Sequence, residues 1–239
     1  MIEFKYKQLK GDIILWAIRW YLKYGISYRE LEEMLKERGV NVDHTTIYRW
    51  VIQYSPELKK KLSWYRSKFY YQSLRVDETY IKVKGKWKYL YRAIAKDGST
   101  VYFYLSHTRN TKAAKRFLSK VLKNYDKYDT PSKINTDKNP AYNDARAQLK
   151  SENYNYNDIE HRKVKYLNNI IEQDHGKLKR LIKPMLGFKS MKTANATITG
   201  YEWMRMFKKG QFDIWTKMRD KSEANFINEL FDICNPNCI

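Results

Sequence analysis

Three carboxylates and one lysine stand out in this chain for the company they keep. Asp77 lies in Arg75-Val-Asp-Glu-Thr-Tyr-Ile-Lys-Val83, a run rich in β-branched and aromatic residues. Such a run reads as a strand, and a carboxylate in mid-strand is expensive to bury without a cation. Asp137 lies in Ile134-Asn-Thr-Asp-Lys-Asn-Pro140, where a short strand gives way to a turn or helix at Asn139-Pro140. Glu172 follows with 34 residues between it and Asp137, in Tyr166-Leu-Asn-Asn-Ile-Ile-Glu-Gln-Asp-His175. Leu167, Ile171, Leu178 and Ile182 recur there at helical spacing as one apolar stripe. Asn168, Glu172, His175 and Lys179 recur three or four apart as a polar stripe, so Glu172 points away from the face that must bury. Taken singly, each carboxylate reads as a surface charge or half of a salt bridge. Three together, with no cysteine among them and no clustered histidines, suit a hard cation such as Mg²⁺ better than zinc.

The elements that must position these residues can be read around them. Residues 73–107 give three strands, the first ending near Val83 before a Lys84-Gly85 turn, the second over Lys86–Ala95, the third over Thr100–Ser106 after Asp97-Gly98. A helix over 111–124 follows on Ala113, Ala114, Phe117, Val121 and Leu122, then a short strand at 132–136 and a helix over about 140–150. A strand near 155–160 leads into the Glu172 helix, and Met191, Ala194, Ile198, Tyr201 and Met204 mark a further helix over 188–209, expected to pack on the same domain. From the pattern alone the class is α/β.

The N-terminal stretch differs. Residues 11–24 read as a helix. Ser27 with Glu30 forms a capping box for a second helix, ending near Arg38 with Gly39 as its stop. Asp43 caps a third helix whose buried stripe is Ile47, Trp50, Val51 and Tyr54, with Pro56 expected to follow its end. Two capped helices joined by a short Gly-containing turn read as a helix-turn-helix or as an ordinary three-helix bundle. The third helix exposes Thr45, Thr46, Arg49 and Gln53, types that contact bases and phosphates in a major groove. Residues 57–72 read as a connector with Lys59-Lys60-Lys61 and aromatic residues.

Composition points to a polyanionic partner. Formal net charge is +21, carried as +6 by residues 1–70, +17 by 71–210 and −2 by 211–239, so most of the excess lies on the segment holding the carboxylates. A lysine-rich solubilising surface is the competing explanation. The 21 Tyr, 9 Phe and 7 Trp are ample for a core. Two cysteines, Cys234 and Cys238, make no disulfide framework, which suits a cytosolic chain; as a metal pair they have no histidine near them in sequence. The longest apolar run, Ile13 to Ile18, is too short to span a bilayer.

Four blocks resemble a known family. Val76-Asp-Glu-Thr-Tyr-Ile-Lys82, Gly85-Lys-Trp-Lys-Tyr-Leu-Tyr-Arg-Ala-Ile94, Thr136-Asp137 and Tyr166 to His175, in order and with 34 residues between Asp137 and Glu172, are similar to the core motifs of bacterial and archaeal IS-six family insertion-sequence transposases, over about Tyr21 to Lys209. The resemblance implies an RNase H-like catalytic domain, a mixed five-stranded sheet flanked by helices, over 73–210. An all-α helix-turn-helix domain over 1–56 precedes it, and a tail over 211–239 follows. It implies Asp77 as bridging metal ligand, Asp137 and Glu172 as ligands of one metal each, Mg²⁺ (or Mn²⁺) as cofactor, and Lys179 on a DNA phosphate or flanking base. It also implies terminal inverted repeats and target DNA as partners, with no small-molecule substrate and no membrane, a homodimer or larger assembly on DNA, and a cytoplasmic, nucleoid-associated location. Ala95, Asn110, Asn135 and Gly176 depart from the family pattern. They leave open a decayed copy that binds DNA as a repressor, beside an integrase or nuclease on the same fold.

Overall fold

The computed structural model describes residue 4 and residues 9–66, 72–125, 130–137, 139–152 and 159–233. Cys234 and Cys238 lie outside them, as does most of the expected strand near 155–160. The chain divides into two compact units, residues 68–179 and residues 1–67 with 180–239.

The first unit is built on one sheet. Strands β1 (Ser73–Val83), β2 (Lys86–Ala95) and β3 (Thr100–Ser106) form an antiparallel meander, and β4 (Lys133–Asn135) and β5 (Glu160–Arg162) extend it in the order β3-β2-β1-β4-β5. β4 runs parallel to β1, and β5 parallel to β4. Together with its helices this is the mixed five-stranded RNase H-like arrangement. Helices α4 (Thr111–Leu122) and α5 (Pro140–Ser151) cover one face, where Leu74, Val76, Tyr91, Ala93 and Ala95 pack with Phe117, Val121, Tyr142 and Leu149. Asn110 opens α4 by accepting from Ala113 N at 2.9 Å, and Asn139 opens α5 by accepting from Ala141 N at 3.1 Å, each as an N-cap. A 3-10 turn, Lys165–Asn168, leads into α6 (Asn169–Ile182), so the Glu172 helix begins slightly later than its apolar stripe suggests.

The second unit is helical: α1 (Gly11–Lys23), α2 (Tyr28–Lys36), α3 (His44–Leu62), α7 (Met191–Lys208) and α8 (Glu223–Leu230). The capping box of Ser27 and Glu30 forms, and Asp43 accepts from Thr45 N at 2.7 Å. Two expectations are corrected here. Pro56 does not end α3; the helix runs on to Leu62, because Leu58 and Leu62 continue the stripe of Val51 and Tyr54, and their burial outweighs the backbone bond that proline removes. The helix over 188–209 was expected to pack on the domain of the carboxylates; instead α7 belongs to the helical unit and packs on α3 and α1. It is buried almost all round, and Gly200 lets it approach closely: a Cβ there would lie 2.6 Å from Ser55 Oγ and 2.7 Å from Leu22. A helix without a polar face gives no stripe from which a partner can be read. No helix among the described residues is long and apolar enough to cross a membrane.

Candidate active site

Asp77 and Asp137 come together at the middle of the sheet. The parallel register pairs Leu74 with Ile134 and Arg75 with Asn135; carried two residues further, it brings Asp77 beside Asp137. Burial and the negative charges of Glu78 and Asp77 raise the Asp137 carboxyl above the usual carboxylate range, against a bond from Asn139 N at 3.0 Å and the Arg109 charge, which lower it. Neighbouring strand residues face opposite ways. Asp77 pairs with Arg92 across β1 and β2 on the α6 face, while Glu78 pairs with Tyr91 on the α4–α5 face.

Helix α6 is fastened to this centre on both sides of Glu172. One turn before it, Asn168 Nδ2 reaches Val76 O at 3.5 Å, and its Oδ1 accepts from Asn135 Nδ2 at 2.6 Å. One turn after it, His175 Nε2 lies 3.3 Å from Asp77 Oδ2. Glu172 is exposed between these contacts. The three carboxylates do not close up: among the described residues, the one group of three ligand side chains with donor atoms within 4.8 Å is Glu32, Asp43 and His44, at the start of α3. Lys179 is exposed two turns beyond Glu172 on the same helix. The structure thus sets Asp77 near Asp137, and leaves Glu172 and Lys179 exposed on the helix that contacts β1 through Asn168 and His175.

The site contains charges that the sequence reading passed over. Glu78 is buried and accepts from Arg109 Nε, from the Tyr142 hydroxyl and, at 3.3 Å, from Asn139 Nδ2. Arg109 Nη2 also lies 3.6 Å from Asp137 Oδ2, so one guanidinium serves both carboxylates. On the other face Arg92 is completely buried. It donates from Nη2 to Asp174 Oδ2, and its Nη1 lies 3.1 Å from His175 Nδ1. An arginine has no acceptor, so His175 Nδ1 must accept and Nε2 carries the proton toward Asp77.

Residues 71–211 match a family profile described as a DDE domain. Over 212 residues, 88% of this chain and 91% of theirs, the chain is 41% identical to a transposase for the insertion sequence-like element IS431mec and 40% identical to the transposase for insertion sequence element IS257 in transposon Tn4003, both of Staphylococcus aureus. The chain belongs to the IS-six family of DDE transposases. A likeness to the catalytic domain of the Mos1 mariner transposase is weaker, with 14% identity, 73% of this chain and 95% of that one covered, and a TM-score of 0.41.

Within the transposase, two departures from the family pattern have local uses. Asn135 donates to Val164 O at 3.1 Å and accepts from Val164 N at 3.1 Å, tying β4 to the segment entering α6. Asn110 caps α4. Gly176 is exposed with open space where a side chain would stand, and Ala95 is buried beside Leu74. In the helical unit Arg49 and Gln53 are exposed on α3, whereas the Thr45 hydroxyl is already engaged with Asp43 Oδ1.

Proposed function

We propose that this chain binds the terminal inverted repeats of an insertion sequence, nicks them to free 3′ ends and joins those ends to target DNA. The carrying observation is that Asn168 and His175 bracket Glu172 against the strand that holds Asp77, with Asp137 alongside. The donor set fits a hard divalent ion: all three candidates are carboxylates, and burial, with the negative charges of Glu78 and Asp77, raises the proton affinity of Asp137, which a cation would relieve. Asp77, Asp137 and Glu172 are the residues we assign to hold Mg²⁺, or Mn²⁺ in its place. When bound there it supplies activation of the attacking oxygen and neutralisation of the leaving one.

In the first step a water oxygen bonds to phosphorus as the P–O3′ bond breaks, leaving a 3′-hydroxyl. In the second that hydroxyl attacks a target phosphorus, and the target's own 3′-oxygen leaves. His175 holds Asp77 in register, and Arg109 offsets the charge of buried Glu78 and lies close to Asp137. Lys179 is assigned to a DNA phosphate, and Arg49, Gln53, Thr46 and Thr45 to the element end. Synapsis of two ends calls for a homodimer or larger assembly, working on nucleoid DNA in the cytoplasm.

The test is a nicking assay on inverted-repeat DNA with and without Mg²⁺. Metal-dependent cutting at the element end is expected. Binding of the end with no cutting in any divalent metal would instead make the chain a DNA-binding repressor.

A further inference from the structure

The β1–β2 hairpin runs past the sheet. β4 pairs with β1 only at Ser73–Arg75, and β3 pairs with β2 only from Tyr89 to Ile94. Beyond them Ile81, Lys82 and Val83 pair with Lys88, Trp87 and Lys86 as a two-stranded ribbon. Its turn is Lys84-Gly85, with φ of 49° and 73°, the left-handed pair that a tight hairpin requires. One face of the ribbon is closed, since Ile81 and Val83 are buried. The other carries Tyr80, Lys82, Trp87 and Tyr89. Trp87 is 60% exposed and Tyr80 44%. The Tyr80 ring centre lies 6.2 Å from that of Trp87 and 5.4 Å from that of Tyr89. Lys82 shares this face and Lys84 stands at the turn, while Lys86 and Lys88 pair with Val83 and Ile81 on the other face; residues 79–96 hold no acidic residue.

We propose that the open face of this ribbon is a stacking platform for unpaired nucleotides of the DNA substrate. Tyr80 is three residues beyond Asp77 on β1, about 10 Å along an extended chain, on the face that carries Glu78 rather than Asp77. A cross-strand aromatic pair that only held the ribbon together would gain by burying its rings. These rings instead stay open amid lysines, which is how proteins bind single strands: bases stack on aromatic faces while cations follow the phosphates. Bases in a duplex are already stacked on one another, so the rings select unpaired ones. The inference rests on DNA being the substrate, but on no step of the cutting reaction.

The experiment titrates the intact chain with a labelled oligothymidylate of about fifteen nucleotides, and with duplex element-end DNA. Trp87→Ala is expected to weaken oligothymidylate binding about 10-fold, the usual scale for one lost stacking contact. Trp87→Phe keeps most of the affinity, and duplex binding is unchanged for both. Lys82→Gln with Lys84→Gln, which leaves the rings in place, is expected to weaken oligothymidylate binding and flatten its salt dependence. Equal losses on single strand and duplex, or no loss on either, would overturn the platform. So would a change of oligomeric state with oligothymidylate affinity intact, which would make the face a contact with a second copy. Failure of the parent to nick element ends would sink the proposed function and leave this result standing, because oligothymidylate binding requires no cutting.

Discussion

His175 Nε2 lies 3.3 Å from Asp77 Oδ2, and Arg92 decides which nitrogen of that imidazole carries the proton. The relationship crosses from helix to strand, and the fully buried Arg92 holds it by also gripping Asp174, the residue before His175. One guanidinium therefore sets the tautomer, the ring position and the docking of α6 beside β1.

Replacing His175 tests that relay. His175→Ala is expected to lower nicking about 10- to 100-fold and to raise the Mg²⁺ concentration needed, as loss of a group supporting a metal ligand does. Binding to the element end should not change. Arg92→Met leaves Asp174 buried without its cation and is expected to destabilise the fold by about 3–5 kcal/mol in urea unfolding. Full nicking at unchanged Mg²⁺ by His175→Ala would remove the relay.

Asp137→Asn should stabilise the metal-free protein. A carboxyl whose folded pKa is raised binds its proton more tightly when folded, so its ionisation works against the fold as pH rises through that pKa. In chelator at neutral pH the variant should melt above the parent. The gap should close as pH falls and the parent's carboxyl protonates. A gap of opposite sign, or one independent of pH, would contradict the raised proton affinity of Asp137.

His161 gives a sign of the other kind. Burial, with Arg146 and Lys163 adding to it, pushes this imidazole down to about 4, and its Nε2 lies 2.8 Å from Thr136 Oγ1. The unfolded chain titrates near the ordinary value of about 6.5. The parent should therefore lose stability as pH falls from about 6.5 to about 4, where the unfolded chain takes up the proton and the folded one resists it. His161→Gln should show a flatter melting profile across that window. An unchanged slope would place the acid sensitivity elsewhere.

Gly200 tests the placement of α7. A Cβ there would stand 2.6 Å from Ser55 Oγ, so Gly200→Ala is expected to destabilise by about 1–3 kcal/mol in spite of alanine's better helix propensity. A stabilised variant would mean that α7 does not lie against α3.

Much of this arrangement was legible in the sequence, for identifiable reasons. β1 to β3 are runs rich in β-branched and aromatic residues bounded by tight turns, and Ser27, Asp43, Asn110 and Asn139 cap the helices they precede. The polar stripe of α6 was readable because Asn168, Glu172, His175 and Lys179 keep strict helical spacing. The buried charges were not. Glu78, Arg92 and Asp174 look in sequence like solvated residues, since nothing local reveals partners 31, 82 or more positions away. Asp174 did carry one signal: it falls three residues after Ile171 and four before Leu178, on the apolar stripe, where a carboxylate needs a cation. Pro56 misled because a backbone rule was weighed without the stripe that continues beyond it.

The central claim is that one carboxylate centre cuts while a separate helical surface recognises the end. It is tested most directly by gel shift and Mg²⁺-dependent nicking on the same element-end DNA with Asp77→Asn, Asp137→Asn and Glu172→Gln. Each change keeps the shape and replaces an anionic oxygen with an amide that holds Mg²⁺ poorly. End binding should persist or strengthen slightly, because a negative charge has left a basic surface, while nicking and joining both disappear. Full nicking by the Glu172→Gln protein, or loss of end binding by a variant that remains folded, would contradict the account.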